Sequence, residues 1–185
     1  MISAEEAIKR LKEGNKQYVA ADTFQMDVSP TTLEHFAKNG QEPYAIIIGC
    51  SDSRVIPERI FQAAIGDLFT IRVAGNVIDD HQLGSIEYAA GHLGTNLIVV
   101  LGHTQCGAVT AAIHHDPEGY IKFITDEIKQ AIGSETNDYQ AALLNVRRSV
   151  EIIKSSLKIQ KDEENGLKVV GAIYRIEDGT VEFDV

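Results

Sequence analysis

The stretch Tyr44-Ala-Ile-Ile-Ile-Gly-Cys50 decides the fold, because a short apolar run ends there in a glycine and a cysteine. Such a run is typical of a buried strand that leads into a loop. The same design recurs at Leu68–Val73, which leads into Ala74-Gly75-Asn76, and at Leu97–Leu101, which leads into Gly102-His103. We therefore predict three buried strands, each with a loop at its carboxyl end.

Helical patterns precede and separate these strands. Ser3 and Glu6 have the spacing of a capping box, which predicts an amphipathic helix running to about Tyr18. Further helices are predicted at residues 31–38, 85–93, 107–114 and 141–159. Strands separated by helices need crossover connections, and these favour a mainly parallel sheet.

The C-terminal segment predicts an antiparallel edge to that sheet. Lys168–Ile176 and Thr180–Val185 flank Glu177-Asp178-Gly179, which is a signal for a β-hairpin. The predicted fold is one α/β domain spanning residues 1–185, with flanking helices around a mainly parallel central sheet. Within it we assign residues 1–40 to an N-terminal helical arm and residues 41–185 to the α/β core.

Composition excludes several classes of protein. The 185 residues carry 17 Lys+Arg and 27 Asp+Glu, a net charge of −10, which argues against nucleic acid or an anionic membrane as partner. Two cysteines cannot build a disulfide framework. No signal peptide or apolar run of about 20 residues is present, so we expect a cytoplasmic protein.

The two cysteines and one histidine fall where α/β sheets bind ligands, beyond the carboxyl ends of strands. Cys50 follows the first predicted strand, and His103 and Cys106 follow the third. Thiolate and imidazole are zinc donors, and three protein donors suit a catalytic site that keeps one position open. The alternative is that both cysteines are small buried core residues, as free cysteines commonly are.

Asp52 and Arg54 stand just beyond Cys50. A carboxylate and a guanidinium at this spacing can form a bidentate pair, which would keep Asp52 ionised and directed at a metal or its water. An ordinary Asp-x-Arg is more often a solvated surface pair worth about 0–1 kcal/mol. The neighbouring thiol favours the first interpretation.

Two motifs together resemble those of the β-class carbonic anhydrases: Gly49-Cys-Ser-Asp-Ser-Arg-Val55 and Gly102-His-Thr-Gln-Cys-Gly-Ala108. The resemblance extends through Ile71–Val77, Gly84–Ala89 and Gly171–Tyr174, in the order of the family. It covers nearly the whole chain. The resemblance implies that Cys50, His103 and Cys106 bind one zinc ion per chain, with Asp52 and Arg54 as the catalytic pair.

The same resemblance implies a substrate pocket formed by Gln41, Phe69, Tyr88 and Gly107. In the family, the glutamine and the tyrosine reach the pocket across a dimer interface. We therefore expect a homodimer or a higher even oligomer, with the N-terminal helix embracing the partner. Ile47 stands where one subclass has a tryptophan belonging to an inhibitory bicarbonate site, so such inhibition is not expected.

The implied reaction is the zinc-dependent, reversible hydration of carbon dioxide to bicarbonate and a proton. Zinc-bound hydroxide, oriented by the Asp–Arg pair, would attack the carbon. Two alternatives stay open at the level of sequence. One is a hydrolase of carbon disulfide or carbonyl sulfide on the same scaffold, and the other is a zinc-stabilised binding protein without turnover.

Overall fold

A sheet of five strands organises the described part of the chain. The computed structural model describes residues 2–21, 23 and 25–185, so Met1, Asp22 and Phe24 of the predicted arm lie outside the described residues. The strands are β1 (Ala45–Gly49), β2 (Leu68–Arg72), β3 (Leu97–His103), β4 (Lys168–Tyr174) and β5 (Val181–Phe183). Their order is β2-β1-β3-β4-β5, parallel throughout except for the antiparallel β4–β5 pair. The predicted α/β class is confirmed.

Eight α-helices lie in the described part of the chain. They are α1 (Ala4–Val19), α2 (Pro30–Asn39), α3 (Pro57–Ile60), α4 (Asp80–His92), α5 (Gly107–His114), α6 (Ile121–Ile132), α7 (Asp138–Ser155) and α8 (Leu157–Glu163). The Ser3 hydroxyl caps α1 by accepting a hydrogen bond from the Glu6 N–H at 3.2 Å, as the sequence predicts. Every described helix is too short or too polar to span a lipid bilayer.

The helices differ from the sequence prediction in two respects. Neither α3 nor α6 has a predicted counterpart, although Ile124, Ile128 and Ile132 of α6 repeat at helical spacing. The helix predicted at 141–159 is divided into α7 and α8, because Ser156 has extended backbone with ψ 124°. The Ser156 hydroxyl then accepts the N–H of Ile159 at 3.3 Å and begins a new helix.

The sheet is covered on both faces, as a parallel sheet requires. Ile46 and Ile48 of β1 pack into a cluster with residues of α4 and α7, whereas Ala45 and Ile47 face α1. A Cβ on Gly14 of α1 would lie 1.8 Å from the carbonyl oxygen of Phe61, so only glycine allows this close approach. The first helix therefore belongs to the core of its own chain.

The register of the strands decides which loops meet. Gly49 at the end of β1 pairs with Arg72 of β2 on one side and with Leu101 of β3 on the other. His103, the last residue of β3, is opposite Tyr174 of β4. The loops after β1 and β3 consequently emerge side by side at the carboxyl edge of the sheet.

Candidate metal centre and catalytic pair

Three soft donor side chains converge at this edge. The sulfur atoms of Cys50 and Cys106 and a ring nitrogen of His103 all lie within 4.8 Å of one another. Their exposed fractions are 5%, 3% and 1% respectively. Although 53 residues separate Cys50 from His103 in the chain, the β1–β3 pairing brings together the donors that the sequence predicted would meet.

His103 is oriented as a metal ligand would be. Its Nδ1 lies 2.8 Å from the carbonyl oxygen of Thr104, which can only accept, so Nδ1 carries the proton and Nε2 is left with a lone pair. Nε2 is buried and has no hydrogen-bond partner among the described residues. Leaving a buried polar atom unsatisfied costs about 1–3 kcal/mol, a cost that a bound metal would remove.

The sulfur of Cys50 sits in a cradle of backbone N–H groups. It accepts from the N–H of Asp52 at 3.4 Å and from the N–H of Gly75 at 3.3 Å. Gly75 has φ 67°, and a Cβ there would lie 2.8 Å from the Cδ1 of Ile128. Only glycine brings this N–H to the sulfur without strain.

The two buried thiols shift each other's pKa in opposite directions. The neighbouring Cys106 and His103 side chains, together with the backbone donors, lower the pKa of the Cys50 thiol against the opposing effect of burial. The hydrogen bond to Cys50 and burial raise the pKa of Cys106 well above its ordinary value. The N–H groups of Ala108 and Val109, at the start of α5, favour the thiolate of Cys106. A cation bound between them would satisfy both sulfurs.

The donor set fits zinc. Two thiols and one neutral imidazole form a soft group, and none of the other described His, Cys, Asp or Glu side chains joins it. Three protein donors leave one position of a tetrahedral ion open to a small molecule. The arrangement is therefore suited to catalysis more than to a closed structural site.

Asp52 and Arg54 form the bidentate pair that the sequence predicted. Arg54 donates from Nε to Oδ1 at 3.0 Å and from Nη2 to Oδ2 at 2.8 Å, and its backbone N–H adds a third bond to Oδ1 at 2.9 Å. The guanidinium lowers the pKa of Asp52 to about 2, against a smaller opposing effect of burial. The carboxylate is therefore ionised across the whole neutral range.

Arg72, which the sequence analysis did not single out, fastens the loop that carries both the thiol and the carboxylate. It donates from Nε to the carbonyl of Cys50 at 3.0 Å and from Nη2 to the carbonyl of Asp52 at 2.7 Å. The sequence does contain one signal for this role, an arginine within the apolar Leu68–Val73 run. That Arg72 lies opposite Gly49 is seen only in the sheet.

The predicted substrate residues are not all brought to the donors within one chain. Gly107 follows Cys106 directly as the first residue of α5, where an added Cβ would meet no atom within 4 Å. Phe69 and Tyr88 contact each other with ring centroids 6.2 Å apart. However, Phe69 is opposite Ile46, about 10 Å along the strand from the Gly49–Arg72 pair.

Gln41 lies furthest from the donors of its own chain. It is exposed and precedes β1, whereas Cys50 follows β1. The five residues of that strand alone span about 16 Å. Gln41 therefore cannot reach the Cys–His group of its own chain.

Known proteins of one family are similar to this chain. A family model described as Carbonic anhydrase matches residues 45–181. The chain is 37% identical to Carbonic anhydrase 2 of Mycobacterium tuberculosis, over 94% of this chain and 89% of the relative. It is 35% identical to a carbonic anhydrase of Mycolicibacterium smegmatis, over 95% of this chain and 91% of the relative.

Solved structures resemble the fold over nearly its full length. The β-carbonic anhydrase CafA of Aspergillus fumigatus superposes with a TM-score of 0.77 at 29% identity, over 97% of this chain and 89% of that chain. A β-carbonic anhydrase of Sordaria macrospora, described as tetrameric, gives a TM-score of 0.77 at 25% identity, over 96% of both chains.

Proposed function

Because this chain belongs to the β-class carbonic anhydrase family, we propose that it catalyses the reversible hydration of carbon dioxide to bicarbonate and a proton. The family and enzyme class that the sequence motifs predict are confirmed. The observation that carries the proposed reaction is the buried Cys50–His103–Cys106 group beside an ionised, doubly hydrogen-bonded Asp52.

Cys50, His103 and Cys106 would hold one zinc ion per chain. When bound, zinc supplies Lewis acidity that makes water a better nucleophile at neutral pH. The negative charge of the two thiolates would weaken that acidity. Other residues of the chain must therefore help to activate the water. Asp52 presents an anionic oxygen that accepts a hydrogen bond from the reacting water and directs its lone pair at carbon dioxide.

Arg54 and Arg72 keep Asp52 in that role. Arg54 occupies both carboxylate oxygens with two parallel bonds, which fixes the plane of the carboxylate as well as its charge. Arg72 fixes the loop backbone beneath it. Gly107, next to Cys106 and without a side chain, would leave room for a small substrate beside the donor group.

We propose that a second copy of the chain completes the substrate pocket. Gln41 lies at the far end of β1 from its own donors, so the role that the resemblance implies for it requires the site of a partner. Tyr88, which contacts Phe69, is 47% exposed. In such a pocket Gln41 would donate its amide N–H to a substrate oxygen, and the two aromatic rings would offer an apolar surface to carbon dioxide.

The oligomer proposed is a homodimer or a higher even assembly. Helix α2 has no buried residue, and Leu33 on it is 50% exposed, which suits the part of the arm that contacts a partner. Helix α1, in contrast, packs against its own sheet. We propose an arm of residues 1–40 and a core of residues 41–185. In this division α2 contacts the partner, whereas α1 packs mainly on its own core.

We also propose a cytoplasmic location and no nucleic-acid or membrane partner. Cys50 and Cys106 are free thiols. They must stay reduced to bind metal, and reducing conditions prevail in the cytoplasm. The net charge of −10 disfavours anionic polymers and surfaces.

The deciding experiment measures two properties of one purified sample: stopped-flow hydration of carbon dioxide and metal content by mass spectrometry. We expect about one zinc per chain and rapid hydration that a chelator abolishes. The relatives named above are carbonic anhydrases, so hydrolysis of carbon disulfide or carbonyl sulfide is not favoured. Turnover of carbon disulfide without hydration of carbon dioxide would reverse that choice, and zinc without any turnover would point to a binding protein.

A further inference from the structure

The turn between two of the donors, Thr104-Gln105, has a conformation that needs outside support. Gln105 has φ 55°, in the left-handed region of backbone conformation that residues other than glycine rarely adopt. It is also the turn that connects the metal centre with the catalytic pair. The Gln105 carbonyl accepts a hydrogen bond from Nη2 of Arg54 at 3.2 Å, the same atom that holds Oδ2 of Asp52.

The carboxylate of Glu177 accepts hydrogen bonds from both residues of this turn. Its Oε2 accepts from the Thr104 hydroxyl at 2.9 Å, and its Oε1 accepts from the side-chain amide of Gln105 at 2.9 Å. The Thr104 hydroxyl itself accepts the backbone N–H of Ile176 at 3.0 Å. One carboxylate more than 70 residues along the chain thus holds both residues of the turn.

The hairpin that carries Glu177 holds its shape without this side chain. Arg175 and Thr180 close the turn through a backbone bond of 2.8 Å, and the Asp178 carboxylate accepts the N–H of Thr180 at 2.9 Å. Asn15 of α1 donates to the carbonyl of Gly179 at 2.8 Å. The hairpin is therefore held by other bonds, and the Glu177 side chain can hold the Thr104-Gln105 turn in place.

We propose that Glu177 is a positioning residue for the catalytic pair. By holding Thr104 and Gln105, it sets the place of the Gln105 carbonyl, and that carbonyl sets the place of the Arg54 guanidinium against Asp52. The inference rests on the proposed function, because it assigns Glu177 to the same site. Glu177 does not touch the metal donors or the substrate, so its removal should slow the reaction without emptying the metal centre.

The test compares Glu177→Ala with wild type and with Asp178→Asn, which alters the neighbouring carboxylate of the same turn. Outer hydrogen-bond partners of metal sites typically affect activity by about 10–100-fold, and we expect kcat of Glu177→Ala to fall about tenfold. We expect KM for carbon dioxide and one zinc per chain to be unchanged. Asp178→Asn should behave as wild type, and Glu177→Gln, which keeps an acceptor for Thr104, should lie between.

A second readout is independent of activity. In the zinc-loaded, nitrogen-15-labelled protein, the Nε–H signal of Arg54, assigned from its loss in Arg54→Lys, should shift in Glu177→Ala and stay in place in Asp178→Asn. An unshifted signal would overturn the proposal, and so would zinc loss in Glu177→Ala or an equal defect in Asp178→Asn. If wild type itself does not hydrate carbon dioxide, the proposed function fails, whereas the Arg54 signal still reports on Glu177.

Discussion

The two ends of strand β1 differ in how completely one chain builds them. At the carboxyl end, the Cys50 sulfur accepts two backbone N–H groups and Asp52 is held by three bonds from Arg54. At the amino end, Gln41 is exposed. One chain therefore assembles the reactive groups, but it does not enclose the substrate that they would act on.

The reason for the difference lies in how each end is held. The three metal donors are buried, and a buried polar group left without a partner is costly, so they must be held inside their own chain. Asp52 is partly buried and is fixed by its bonds to the exposed Arg54. Residues that contact the substrate need not be buried in the chain that holds the metal donors, so a second chain can supply them. The predictions below test this contrast, from the largest effect to the smallest.

Replacing a metal donor should have the largest effect. His103→Ala removes the buried Nε2 atom that the rest of the site leaves unpaired, so we expect loss of zinc and a fall of hydration to the uncatalysed rate. Metal content and stopped-flow rates check this outcome. His81→Ala, which alters an almost fully exposed histidine, is the matched control. Full zinc content in His103→Ala would contradict the assignment of this donor.

Asp52→Asn should separate the reaction from metal binding. The amide keeps the shape of the carboxylate but removes its charge and places a donor against the donors of Arg54. Loss of a positioned acid–base group typically costs about 10²–10⁴-fold in rate, and we expect kcat to fall within that range with zinc retained. The control is Asp184→Asn on the exposed C-terminal end. A wild-type rate in Asp52→Asn would remove this residue from the mechanism.

Gln41→Ala tests whether the amino end of β1 serves another chain. Loss of one positioned donor to a developing negative oxygen costs about 10²-fold, and we expect kcat to fall by roughly that amount. Glu42→Ala, next in the chain and also exposed, should have little effect.

Mixing the Gln41→Ala and His103→Ala chains then tests the shared pocket directly. After exchange of subunits, a mixed pair has one site with an intact donor group and an intact glutamine. We expect the mixture to hydrate carbon dioxide faster than either parent variant. If the mixture is no more active than its parents, Gln41 does not act across an interface.

Gly14→Ala should have the smallest effect on activity and a clear effect on stability. The added methyl group would collide with the Phe61 carbonyl, and overpacking of this kind typically costs about 1–3 kcal/mol of the free energy of unfolding. Denaturant unfolding at a fixed protein concentration measures it, with Glu13→Ala expected to lie within about 0.5 kcal/mol of wild type. Equal stability of Gly14→Ala would show that α1 does not pack tightly on its own core.

The elements that could be predicted are those with a strong local pattern. The short apolar runs at β1, β2 and β3 and the hairpin at β4–β5 all appear within a few residues of their predicted positions. Boundaries that depend on a single cap were missed, as at Ser156, where a hydroxyl and an extended ψ divide one amphipathic pattern into two helices. Local pattern reports which face is apolar, but it does not report where the backbone turns.

The sequence by itself determined the donors and the pair. Cys50, His103, Cys106, Asp52 and Arg54 stand in two short motifs at predicted strand ends, and adjacent parallel strands bring such ends together. Their chemistry is local in sequence, since each motif carries its own reactive groups. That locality made the family and the site readable without a structure.

Only the tertiary structure decided how these groups are supported and which of them one chain can use. Arg72 reaches the Cys50 loop because β2 pairs with β1, and Glu177 reaches the Thr104-Gln105 turn because β4 pairs with β3. Gln41 is separated from its own donors by the length of β1. Distances between segments far apart in the chain are set by strand register and packing, and no local pattern of residues encodes them.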